Sequence, residues 1–155
     1  MMKRILVCTC LLVLPILALS QVNYLNDMII SSIHNVVDHE NSFLLQQAKP
    51  PLSQIWICKD GLPRDFPYES INSVVFFSLD NRANLPWSLR KQLKRGVRSF
   101  YVQPQVLNNG RIVIVISVRI THRRRVELSD WGVFTYSYSP IEGRWLLETT
   151  EYGGI

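Results

Sequence analysis

The chain predicts an α+β domain. One long N-terminal helix packs on a curved, mostly antiparallel β-sheet of about five or six strands, and a second short helix joins it. Three features carry this expectation. Apolar residues recur at helical spacing between Val22 and His39, period-two alternation dominates the chain after Val97, and Asn109-Gly110 forms a hairpin turn between two alternating runs.

The first twenty residues stand apart from that domain. Lys3 and Arg4 precede an apolar run from Ile5 to Leu19, broken only by Thr9 and Pro15. Ala18 and Ser20 then place small residues at the −3 and −1 positions of a cut before Gln21. This is the pattern of a cleaved secretory signal peptide. The expected organisation is a leader over 1–20 and a single globular domain over 21–155, secreted or periplasmic, touching membrane only through the leader before cleavage. The run is shorter than the roughly 20 residues a membrane-crossing helix needs, and no basic cluster follows it. Cys8 and Cys10 lie near its front rather than just after it, which argues against lipidation.

Charge and cysteine content bound the rest. The net charge of +5 falls to +3 without Lys3 and Arg4, because every acidic residue lies downstream. Cys58 is then the single cysteine, so no internal disulfide can form and stability rests on apolar packing.

Within the domain, Leu25, Met28, Ile29, Ile33, Val36 and Val37 form the stripe of the long helix, ending near His39. Residues 40–53 read as an irregular connection with one helical turn at Phe43-Leu44-Leu45, stopped by Pro50-Pro51. Gln54 to Lys59 alternates as a strand, with Trp56 and Cys58 on one face, and ends at Asp60-Gly61. Ser73 to Leu79 is a second, buried strand. Pro86 opens a short helix whose last turn carries Arg90, Lys91, Lys94 and Arg95 before Gly96, cations that complement the helix C-terminus.

Four strands follow: Val97–Leu107, Arg111–Thr121, Val126–Ser139 and Arg144–Tyr152. Their short connections predict an antiparallel meander. Gly132 is expected at a bulge or bend, and Trp131 and Trp145 are expected as neighbours. This order and pattern is similar to cystatin-like and nuclear-transport-factor-2-like shapes, with no motif residue of either family behind the likeness.

Four groups could carry chemistry. His34 and Asp38 share a helix face and His39 follows, but the third protein ligand zinc needs is missing and solvent exposure explains all three. Cys58 could act as a nucleophile beside a histidine, yet free cysteine is more often buried. Trp56, Trp87, Trp131 and Trp145 could stack on sugar rings or simply pack. Arg119, His122, Arg123, Arg124 and Arg125 form the sharpest positive cluster, which Arg90 and Lys94 would extend if the helix end lies nearby. Solvation of a hairpin tip and protection of a strand edge explain such a cluster equally.

No Gly-x-Ser-x-Gly, Gly-rich phosphate loop or Cys-x-x-Cys is present, and Asp60, Asp65 and Glu69 form only a generic acidic group. No cofactor is expected. The resulting expectation is an exported non-catalytic envelope protein. Its partner is a protein or an anionic envelope component, not nucleic acid, bound at the sheet face or the basic turn. The alternatives are a small hydrolase or metal-dependent enzyme using His34, Asp38 and His39, and a structural subunit that pairs through a sheet edge.

Overall fold

The computed structural model describes residues 2–71, 73–78, 85, 87–122 and 125–154, with side chains from Tyr24 onward apart from residues 88 and 89. It is an α+β fold. The elements are α1 (Met2–Gln46), β1 (Ile55–Cys58), β2 (Val74–Phe77), α2 (Trp87–Arg95), β3 (Val97–Val106), β4 (Ile112–Thr121), β5 (Val126–Ser139) and β6 (Arg144–Gly154). Short 3-10 turns at Lys59–Gly61 and Tyr68–Ser70 lie between β1 and β2. Among the described residues no helix is long and apolar enough to cross a membrane.

The six strands form one sheet in the order β2-β1-β3-β4-β5-β6. β3 to β6 are antiparallel neighbours, as their short connections require, whereas β1 runs parallel to both β2 and β3. Parallel neighbours need long crossovers that cover sheet faces. The 59–73 segment lays Phe66 and Ile71 into the same core as α1, and α2 puts Leu93 on the other face with Trp56, Cys58, Phe77, Val97 and Tyr101. β1 is therefore buried on both sides: Ile57 enters one core, Trp56 and Cys58 the other.

The antiparallel half has one covered face. α1 lies across β4 and β5 and buries Met28, Ile29, Ile33, Val36 and Val37 against Ile114, Ile116, Val118 and Phe134. The alternation of β4 sends Ile112, Ile114, Ile116 and Val118 inward. Polar contacts set the helix lengthwise: the Ser32 and Tyr136 hydroxyls bond at 2.9 Å, and the Tyr136 hydroxyl reaches the Met28 carbonyl at 3.3 Å.

Three local expectations are corrected. The helix does not stop near His39 but continues through Phe43-Leu44-Leu45 to Gln46. There Lys49 N–H bonds the Leu44 carbonyl, Ala48 N–H bonds that of Leu45, and Ala48 takes the left-handed conformation at φ 54°. The strand irregularities fall at Ser129 and Glu148, the extra residues between paired neighbours, not at Gly132. Gly132 instead makes room for the helix: a Cβ there would stand 2.9 Å from Val36 Cγ2. Trp131 and Trp145 are not neighbours either. β6 runs back along β5, so Trp131 sits opposite Gly153 and Trp145 opposite Tyr138.

Two substitutions test this packing. Ala48→Gly relieves an L-residue of the left-handed region and should raise stability by about 1 kcal/mol. The expected sign is a higher urea midpoint at unchanged slope. Gly132→Ala should cost about 1–3 kcal/mol by overpacking, and measurably less in a Val36→Ala background. Equal costs in both backgrounds would show that Val36 is not the obstacle.

Candidate functional site

Arg90, Lys91, Lys94, Arg95 and Arg98 lie along α2 and the start of β3. Gly96, at φ 88°, lets the chain leave α2 and enter β3 directly. A Cβ on Gly96 would stand 2.6 Å from His122 Cε1, so His122, just after β4, lies against the end of α2. Of the basic turn expected from sequence, His122 is the residue that this places beside the end of α2. Along α2, Arg90, Lys91 and Lys94 line an open groove of about 340 Å³ with Trp87, and the Lys91 ammonium lies 5.6 Å from the Trp87 ring. No described acid pairs with Lys91, Lys94 or Arg95. Arg90 Nε donates to the Leu85 carbonyl at 2.8 Å.

The turn itself is partly neutralised. Arg125 bonds Glu127 at 2.9 Å, and His122 Nε2 stands 4.0 Å from the same carboxylate. Arg123 and Arg124 lie outside the described residues. Arg119 occupies a different place, a recess of about 150 Å³ with Cys58, Asp60, Tyr101 and Gln103. Its guanidinium stacks 4.3 Å from the Tyr101 ring centre, and no described acid pairs with it. Tyr101 is in turn held by the Thr121 hydroxyl at 3.0 Å, which also bonds Ser99 at 2.6 Å.

Beside Gly96 a cleft of about 320 Å³ opens between the start of β1, the end of α2 and the start of β3. Arg95 and Arg98 supply two guanidinium groups, and Ser53, Gln54 and Gln92 supply neutral polar groups. Such a set suits a carboxylate or phosphate, because arginine presents paired donors to planar or tetrahedral oxyanions.

Arg98 also has an inward role. Glu40, 2 % exposed at the end of the α1 stripe, accepts a hydrogen bond from Arg98 Nη1. Burial raises the Glu40 pKa above its ordinary value of 4.5, Arg98 opposes that rise, and nearby Asp130 adds to it. Neither residue stood out from sequence alone. A signal was present: Glu40 is in phase with the apolar stripe, and Arg98 shares a strand face with Phe100 and Val102. Opposite charges at two inward positions mark an internal ion pair.

The remaining candidates are dispersed. His34, Asp38 and His39 are exposed, and His39 stacks on Tyr152 with ring centres 3.9 Å apart. Among the described residues no group of three His, Cys, Asp or Glu side chains converges as for a metal ion. Cys58 is buried, and its thiol donates to Asp60 Oδ2 at 3.3 Å. Trp56 is buried in the second core, Trp145 packs against the first, and Trp87 is exposed, so the tryptophans form no common platform.

The pair predicts a pH dependence of definite sign. Glu40 binds its proton more tightly folded than unfolded, so its contribution is most favourable below pH 4.5 and is lost as pH rises through its elevated pKa. Arg98→Met leaves the carboxylate buried and unpaired and should cost about 3 kcal/mol at pH 7. The deficit should shrink as pH falls and Glu40 takes up a proton, and Glu40→Leu with Arg98→Met should recover most of it. A deficit independent of pH would contradict the pairing.

Comparison with known proteins finds no matching family model, no matching curated protein and no matching solved structure.

Proposed function

We propose that the chain is a non-catalytic binding protein, exported by its N-terminal leader, whose cationic end takes an acidic partner. The observation that carries this reading is the run of Arg90, Lys91, Lys94 and Arg95 along α2, where no described acid pairs with Lys91, Lys94 or Arg95 and where Arg95 also lines a cleft with Arg98. A helix terminus alone explains Lys94 and Arg95. It does not explain why Lys91, a turn earlier, is also without a described acid, nor why Arg95 and Arg98 line an open cleft. Positive charge on that surface attracts acidic polymers and acidic protein faces through a field that salt weakens.

The reading in which a second chain adds to the β6 edge is less favoured. Among the described residues the outer edge of β6 has no sheet partner, but it carries Arg144, Glu148 and Glu151 and is bulged at Glu148. Charges and bulges are devices that discourage edge pairing.

Heparin provides a polyanionic probe. The chain should bind immobilised heparin at low ionic strength and be released as salt rises. Lys91→Ala, Lys94→Ala and Arg95→Ala combined should weaken binding by about tenfold or more with the melting temperature unchanged. Retention that ignores both salt and these substitutions would overturn the reading.

A further inference from the structure

Two hairpin tips leave the sheet at the end opposite the C-terminus of α2, and each exposes apolar side chains beside an ion pair, Arg111 with Glu148 and Arg144 with Glu142. The register sets Val106 opposite Ile112 and Ile112 opposite Tyr136, so the turns at 107–111 and 140–143 share one end of the sheet. There Ile141 is 98 % exposed and Val106 is 76 % exposed, with Leu107 and Tyr138 also open to solvent. Single exposed apolar residues are ordinary, as Leu45 on α1 and Trp87 on α2 are here. Adjacent tips that both project such residues make a patch, and patches mark contacts.

α1 meets the sheet at this same end. Met28 and Ser32 bond Tyr136 there, while Glu40 reaches Arg98 at the far end of β3. The chain preceding Tyr24, which contains the apolar run Ile5–Leu19, is therefore joined to the domain beside the two tips.

We propose that the hairpin tips form a membrane-contact surface, seated on the lipid bilayer that the N-terminal apolar run enters. The run of fifteen residues measures about 22 Å as a helix, against about 30 Å of hydrocarbon. A short run draws its flanking groups into the interface, and apolar tips suit that depth. Tyr24, Tyr138 and Trp145 lie at the same end, with the Tyr138 and Trp145 rings 5.8 Å apart. Tyrosine and tryptophan settle at headgroup level because one end of each ring system is apolar and the other is wet. The surface so placed turns the cationic end away from the bilayer. The inference concerns the chain while the leader is still attached and rests on the reading that the leader enters lipid for export, and it is independent of what the cations bind.

The test uses the full chain in phosphatidylcholine–phosphatidylglycerol vesicles. An environment-sensitive fluorophore is attached at Val106→Cys, Ile141→Cys or, as the distal control, Glu127→Cys. Cys8 and Cys10 are replaced by serine, and Cys58 is left in place because it is buried. Probes at 106 and 141 should shift to the blue and be quenched severalfold by spin-labelled lipid, while the probe at 127 keeps its aqueous emission. Aqueous emission at 106 and 141 on a chain that floats with the vesicles would overturn the proposal while leaving the leader's insertion intact. A chain that does not float would overturn both.

Discussion

The seating of α1 across β4 and β5 is the contact on which the rest of the molecule depends. In the antiparallel half, one face of the sheet is lined by Ile114, Ile116, Val118 and Phe134, and α1 supplies the apolar stripe that shields it. The fit is close because Gly132 has no side chain where Val36 arrives. Polar contacts at both ends of the stripe then remove the freedom to slide. Ser32 and Met28 bind Tyr136 at one end, and Glu40 binds Arg98 at the other. Apolar burial favours contact without choosing a register, whereas buried hydrogen bonds and charges are costly unless matched. The register of the helix gives the domain two distinct ends, one beside the N-terminal apolar run and one beside the C-terminus of α2.

The parallel half builds the cationic end. Because β1 lies between β2 and β3 and runs parallel to both, the chain must cross over from β2 to β3, and α2 is part of that crossing. Its apolar side, represented by Leu93, covers Trp56, Cys58 and Tyr101. Its polar side is left with Arg90, Lys91, Lys94 and Arg95. Gly96 turns the chain into β3 with no side chain to hold off its neighbour, and the His122 ring is admitted beside the end of α2. Packing of an aromatic core and presentation of positive charge are thus two faces of one nine-residue helix.

Much of this was legible in the chain. The α+β class, the order of elements and the antiparallel meander follow from periodicities that local geometry imposes, with Ile112 to Val118 the clearest case. The parallel placement of β1 beside β3 was not legible, because a four-residue apolar strand carries no mark of its partner's direction. The helix end was misplaced because Pro50-Pro51 forbids helix only locally, while Phe43-Leu44-Leu45 can continue it. Gly132 was read as a backbone device when its use is room for Val36, a fact held by a residue almost a hundred positions away. Of the site, the cations of α2 were visible, whereas the approach of His122 to Gly96 was not, because it depends on how α2 and β4 pack. The Glu40–Arg98 pair was encoded by the phase of two charges relative to two apolar patterns, a signal that exists only when helix and strand are read together.

Native-state hydrogen exchange tests the central claim most directly. If α1 is locked to the sheet by its stripe and by the contacts at both its ends, amides from Ile29 to Val37 should exchange only through the global unfolding that also exposes Ile114 to Val118. The two segments should then share one opening free energy and one denaturant dependence. Exchange of the helix through a smaller local opening, with β4 still protected, would show that the sheet stands without it and would contradict the account.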